Sequence, residues 1–205
     1  MKIKLFFYIA FSILISFNSL AQNKERKFKI HTLAFYNLEN LFDTINDVNK
    51  NDEASPIMEI KFNRGNIYKQ KVTNMARVIS EIGYDITNRP PTIIGICEVE
   101  NRNVVEDLIA NEKLSKYNYG IVHYDSPDRR GIDVGLLYNK DIFKVINSNS
   151  HVLYINYNNT GERSYTRDQL VVSGKLDGEL IHLIVNHWPS RAVSYTHLTL
   201  PTTVR

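Results

Sequence analysis

Thr92-Ile93-Ile94-Gly95-Ile96-Cys97-Glu98-Val99-Glu100-Asn101 is the stretch on which the fold turns. Thr92 to Val99 is apolar almost without interruption, short, and rich in β-branched side chains, which predicts a fully buried strand. Asn88-Arg89-Pro90-Pro91 supplies a turn before it, and Asn103 to Asn111 reads as a helix after it. Upstream, Ile67, Met75, Val78, Ile79 and Ile82 form an apolar stripe at helical spacing within 66–86, with Gly83 as a stop. Phe28 to Tyr36 predicts a first buried strand, and the polar run Asp43 to Phe62 a long surface loop. Downstream, strands are predicted near 119–124, 133–139, 143–154, 169–176 and 179–187, with Asp177-Gly178 as a hairpin turn. Strands that first alternate with helices and then follow one another predict an α/β fold. Its expected form is a two-sheet α/β sandwich with helices on the outer faces.

Two hundred and five residues suit one domain, and 43% hydrophobic with 23% charged residues is a globular composition. The first twenty-one residues have the pattern of a secretory signal. Lys2 and Lys4 open it, Leu5 to Ile15 forms an apolar core, and Ser19-Leu20-Ala21 offers small residues for cleavage. That core is too short to span a bilayer, so no transmembrane helix is expected once it is removed. Export to the periplasm or beyond is the expectation, and no cysteine follows the cleavage point to carry a lipid. The formal net charge is +3, and removing Lys2 and Lys4 leaves about +1, which is no broad basic footprint for nucleic acid. Any phosphate would therefore be held by a local site. Cys97 is the only cysteine, which excludes an internal disulfide, and its apolar setting predicts a small buried residue.

Four segments place polar residues where apolar strands are expected to end, the usual ligand side of an open α/β sheet. They are Ala34-Phe35-Tyr36-Asn37-Leu38-Glu39-Asn40-Leu41-Phe42, Ile93 to Asn101, His123 to Tyr138 with its Arg130-Gly131-Ile132-Asp133-Val134 core, and Leu183-Ile184-Val185-Asn186-His187-Trp188-Pro189-Ser190-Arg191. In this order, over about residues 28 to 191, they resemble the endonuclease/exonuclease/phosphatase superfamily of DNase I-like, metal-dependent phosphoesterases.

The resemblance implies hydrolysis of phosphodiester bonds, of nuclease type, with Mg²⁺ or Mn²⁺ as cofactor and nucleic acid as the phosphoester partner. A phospholipid or phosphomonoester substrate, or a non-catalytic exported binding protein on the same fold, are the alternatives. No protein partner is implied. Glu98 matches the family's metal-binding glutamate, and such an ion needs few protein oxygens when substrate phosphate supplies others. The competing reading of Glu98 is a cap on the next helix, a role better suited to Glu100. Asn37 matches an orienting amide at the metal or phosphate, and otherwise is a turn former. His187 matches the histidine on the scissile phosphate, where an imidazolium would stabilise developing charge. Arg167 matches a phosphate-contacting arginine, against a surface ion pair as the alternative. Asn186 and Arg191 are plausible phosphate-binding helpers. Trp188 is expected to pack at the strand exit, and Glu39 and Asn40 to be surface or capping residues. His123 and Asp125 could reach the phosphate from the rim, and Asp133 could orient a ligand or pair with Arg130, a structural role being favoured for it.

Relatives also carry a Gly-Asp-x-Asn segment and a terminal Asp-His pair, and here no Asp or Glu follows Glu179. Residues 28–192 are thus expected to be the N-terminal part of such a domain, incomplete at its C-terminus and with little turnover by itself. Val193 to Arg205 is expected to be a non-native, adapter-derived tail.

Overall fold

The computed structural model describes residues 28–157 and 160–188. The expected signal segment 1–21, Arg191 and the tail 193–205 lie outside the described residues. All the elements below belong to one compact unit beginning at His31. In chain order they are β1 (Leu33–Leu41), α1 (Pro56–Glu59), α2 (Arg64–Glu81), α3 (Tyr84–Thr87), β2 (Ile93–Val99), α4 (Arg102–Ala110), β3 (Tyr119–His123), β4 (Asp133–Asn139), β5 (Phe143–His151), β6 (Ile155–Asn156), β7 (Arg163–Ser164), β8 (Gln169–Leu176) and β9 (Glu179–Val185).

The predicted buried strand is β2, and it lies inside a four-stranded sheet of order β1-β2-β4-β3. It runs parallel to β1 and antiparallel to β4. A three-stranded antiparallel sheet, β5-β8-β9, is the second layer. The layers are legible in which side chains cluster. Ile93, Cys97, Val134 and Leu136 of the first sheet pack with Phe143, Leu170, Val172 and Val185 of the second. On the other face of the first sheet, Ile94, Ile96 and Leu137 pack with Val72, Ala76 and Ile79 of α2 and with Val104, Val105 and Leu108 of α4. The two faces of β2 thus serve two cores, which is why its sequence is apolar throughout rather than alternating. The sandwich and the helical layer are as expected, except that among the described residues helices cover only the first sheet. Leu180 and Ile184 on the outer face of β9 are exposed.

Several boundaries differ from the sequence reading. The first strand begins at Leu33 rather than Phe28 and continues to Leu41, because its ladder partner is β2, entered at Leu33↔Ile93. The helix expected over 66–86 is two helices, with Gly83 at φ 66 between them. The loop 43–62 contains a 3₁₀ turn at Asp52–Ala54 and α1, and it is folded down rather than free at the surface. Ile57 joins Phe42 and Ile132 in a small third core. Its acidic side chains turn the chain locally by accepting backbone N–H groups: Ile45 to Asp43 (2.6 Å), Asn49 to Asp47 (2.9 Å) and Asp47 to Asp52 (2.9 Å). The short β6–β7 ladder was not foreseen. The Asp177-Gly178 turn was: both residues have positive φ (50 and 93), as a two-residue hairpin requires.

Phe143 links the two layers. Its side chain is fully buried, stands edge-on to Tyr138 (centroids 5.8 Å apart, planes at 82°), and fills the space that a Cβ on Gly174 would need. Phe143→Ala should therefore cost about 3–5 kcal/mol of unfolding free energy by urea titration. Leu180→Ala, 56% exposed on the outer face, should change it by less than about 0.5 kcal/mol.

Candidate active site

Alternation along β2 puts Ile94 and Ile96 on the helical side and Ile93 and Cys97 toward the second sheet. Regular pleating would send Glu98 to the helical side and Val99 to the sandwich. The reverse holds at Val99, which lies fully buried in the helical-side core. The register against both neighbours slips between Cys97 and Val99, and Glu98 sits at φ 60. This is a β-bulge whose extra residue is held in the left-handed region, a conformation costing a non-glycine residue about 1–3 kcal/mol. Its effect is to free Glu98 from the ladder and turn its carboxylate toward the end of the second sheet.

A matching irregularity in β1 lies beside it. Between Asn37 and Leu41 the register shifts again, with Glu39 and Asn40 at φ 50 and 57. The Asn37 amide donates to Glu98 Oε1 (3.0 Å), and the backbone N–H of Asn40 donates to Glu98 Oε2 (3.0 Å). Asn37 Oδ1 accepts from Glu39 N (2.7 Å), closing the turn. So Asn37 acts on the glutamate, and Asn40, expected only at the surface, contributes its main chain. Lys71 of α2, which the sequence reading passed over, donates to the carbonyls of Glu39 (2.5 Å) and Asn40 (2.9 Å). Burial lowers its pKa, against the opposing pull of Glu39 and Glu98.

From the second sheet, Val185 faces the sandwich, and one pleat later His187 reaches the same edge. Its Nε2 stands 3.3 Å from Glu98 Oε1, with 20% and 19% of the two side chains exposed. Burial lowers the His187 pKa, Arg167 lowers it further, and Glu98 opposes them. The imidazolium expected from the sequence is thus disfavoured in the free site. Just before β8, Arg167 is buried and donates from Nη1 to Asp128 Oδ2 (3.2 Å), so the alternative of a surface ion pair is set aside. Asp128, also missed, is itself buried and accepts Arg130 N (3.0 Å). Two buried polar atoms here lack a partner, Arg167 Nε and Asn186 Oδ1.

The remaining expectations resolve as follows. Asn101, not Glu100, caps α4, accepting from Val104 N (3.1 Å). Glu100 instead accepts from Asp43 N (2.7 Å), and burial raises its pKa to about 7. Asp133 does not pair with Arg130. It accepts Ser126 N (2.9 Å) and lies 3.2 Å from His123 Nε2. His123 is almost fully buried, and Asp125 is exposed beside it, 3.9 Å from Nδ1. Trp188 is 47% exposed rather than packed. Cys97 is fully buried, and burial pushes its thiol up to about 12, which removes it as a nucleophile.

Glu98 fits a hard divalent cation. Each carboxylate oxygen accepts one hydrogen bond and keeps a lone pair, and both donors fix its orientation as supporting contacts to a metal ligand do. The Arg167–Asp128 pair is 7% and 5% exposed, so Asp128→Ala should leave a buried cation unpaired and cost about 3 kcal/mol in a urea unfolding experiment. Arg130→Ala, with its side chain 53% exposed, should cost less than about 1 kcal/mol.

The model of the Endonuclease/Exonuclease/phosphatase family matches residues 32–197. No curated protein matches the sequence. Among solved structures, the fold is similar to an endonuclease/exonuclease/phosphatase protein from Bacteroides vulgatus, at 19% identity and a TM-score of 0.43, covering 76% of this chain and 52% of that one. A Bacteroides thetaiotaomicron protein of the same description gives 16% identity and 0.44, covering 79% and 52%. ANGEL2, described as a 2',3'-cyclic phosphatase, gives 12% and 0.43, covering 75% and 39%. The chain spans about half the length of the first of these structures, 52%. With the family model matched over most of its length, this chain belongs to the endonuclease/exonuclease/phosphatase family.

Proposed function

We propose that the chain supplies the metal- and phosphate-holding half of an exported phosphodiesterase that acts on nucleic acid with Mg²⁺ or Mn²⁺. The observation that carries this is the convergence at one sheet edge of Glu98, re-aimed by its bulge, with His187 at 3.3 Å and the buried Arg167 nearby in charge terms. A carboxylate, a neutral imidazole and a guanidinium held together suit a phosphodiester bearing a cation better than they suit an apolar ligand.

In this reading Glu98 would hold the divalent ion, which when bound supplies charge neutralisation at the phosphate. Asn37 and the Asn40 main chain fix the carboxylate so that it need not reorganise. Arg167, oriented through Nη1 by Asp128, offers Nε and Nη2 to phosphate oxygens. The neutral His187 ring donates one N–H, and burial of the site strengthens each contact. Asn186 and Arg191 are proposed as further phosphate contacts, and the segment 1–21 as the export signal. The small net charge favours a short or small phosphoester over long duplex DNA, so a phosphomonoester or lipid head group is the second reading.

Mn²⁺ titration followed by electron paramagnetic resonance should show one site that Glu98→Gln weakens at least about tenfold. Unchanged Mn²⁺ affinity in that variant would refute the assignment of Glu98. With Mn²⁺ present, binding of a fluorescent trinucleotide should fall about tenfold or more in Arg167→Lys and in His187→Ala. Glycerophosphocholine and a nucleoside monophosphate, used as competitors, discriminate the substrate classes. Displacement of the trinucleotide by either at lower concentration than by unlabelled trinucleotide would favour the second reading.

A further inference from the structure

On the helical side of the first sheet, away from the face that carries Cys97, lies a second group of ligating side chains. Val122 and Val134 face the sandwich, so alternation directs their neighbours His123 and Asp133 to the opposite face. Both side chains are 2% exposed. His123 Nε2 has no hydrogen-bond partner, although Asp133 Oδ2 stands 3.2 Å away, off the line that an N–H would take. A lone imidazole nitrogen facing a carboxylate oxygen at this range is repulsive when neither bears a shared proton or cation. Asp133 is not free to turn away, because its Oδ1 is engaged by Ser126 N at 2.9 Å. Asp125 completes the group: one ligating atom from each of His123, Asp125 and Asp133 falls within 4.8 Å of the others.

We propose that His123, Asp125 and Asp133 form a binding site for a divalent transition-metal ion of the zinc class, separate from Glu98. Two ligand atoms 3.2 Å apart, each about 2.1 Å from a common ion, subtend about 100° there, between the tetrahedral and octahedral angles. One imidazole and two carboxylates form a mixed nitrogen–oxygen set that suits Zn²⁺ or Co²⁺ better than the oxygen-preferring ions Mg²⁺, Ca²⁺ and Mn²⁺. The ion has a path in and room for its waters. Asp125 is 83% exposed, and Asp125 and Asp133 form part of the wall of a cavity of about 110 Å³ that is also lined by Asp47, Asp52, Glu100 and Lys50, whose ammonium is engaged by the Ser126 carbonyl. A bound ion would tie the loop after β3 to the start of β4. That loop carries Asp128, the partner of Arg167, so metal here positions the phosphate-binding arginine without touching substrate.

Co²⁺ and Zn²⁺, each added alone to the metal-free chain, are the probes. Co²⁺ should give visible absorption bands at one equivalent, Zn²⁺ should displace it, and both should persist in Glu98→Gln. Asp125→Asn, an exposed change that the fold tolerates, should weaken Co²⁺ binding at least about tenfold, as should His123→Asn. Zn²⁺ should raise the melting temperature of Glu98→Gln but not of the Glu98→Gln/Asp125→Asn double variant. Co²⁺ bands that vanish in Glu98→Gln, or that survive in both Asp125→Asn and His123→Asn, would overturn the site. So would a thousandfold excess of Mg²⁺ removing Co²⁺ from the parent.

Discussion

The bulge at Glu98 is the constraint on which the site depends. A strand can present successive side chains only to alternate faces, and β2 must keep Ile94, Ile96 and Val99 in one core and Ile93 and Cys97 in the other. A carboxylate placed between Cys97 and Val99 has no face of its own in a regular ladder. Holding it at positive φ lifts it out of the ladder and lets Val99 resume packing on the helical side. The strain is over-determined by neighbours: two hydrogen bonds from β1 to the carboxylate, and Lys71 clamping the β1 carbonyls from α2. The helical layer therefore stabilises the functional conformation as well as burying apolar surface.

The second sheet contributes Arg167 and His187 by simpler means. β8 and β9 are antiparallel, so the residues preceding β8 and those following β9 lie at the same edge, opposite the Asp177-Gly178 turn. Arg167 and His187 both lie toward that edge, where Arg167 lowers the His187 pKa although twenty residues of chain separate them. A buried guanidinium is costly without a partner, and Asp128 supplies one from the loop between β3 and β4. The strand-end segments named from the sequence are thus coupled: the loop that ends at Asp133 orients the arginine that stands beside the histidine.

That loop is in turn held by the acidic segment after β1. Lys50 donates to the Ser126 carbonyl (2.8 Å), and Asn51 N donates to the Arg129 carbonyl (2.7 Å). Ile57, Phe42 and Ile132 bury a small core beneath. A polar, irregular sequence is here a folded support, because its aspartates satisfy nearby N–H groups in place of a helix or ladder.

By itself, the sequence determined the layers. The unbroken apolar run of β2 required cover on both faces, the helical stripes supplied one cover, and the later hairpins supplied the other. Glu98, Asn37 and His187 were singled out because their motifs stand where strands end, and Arg167 because it stands just before one. What only tertiary structure decided was the aim of each group. Period-two alternation points Glu98 the wrong way, and a bulge leaves no composition signal in a strand without glycine at that position. Lys71 acts on the Glu39 and Asn40 carbonyls, 32 and 31 residues away, and Asp128 on Arg167, 39 residues away, separations at which local pattern carries no information. The lowered pKa of His187 follows from burial and from Arg167 across the sheet edge, neither of which the chain order reveals.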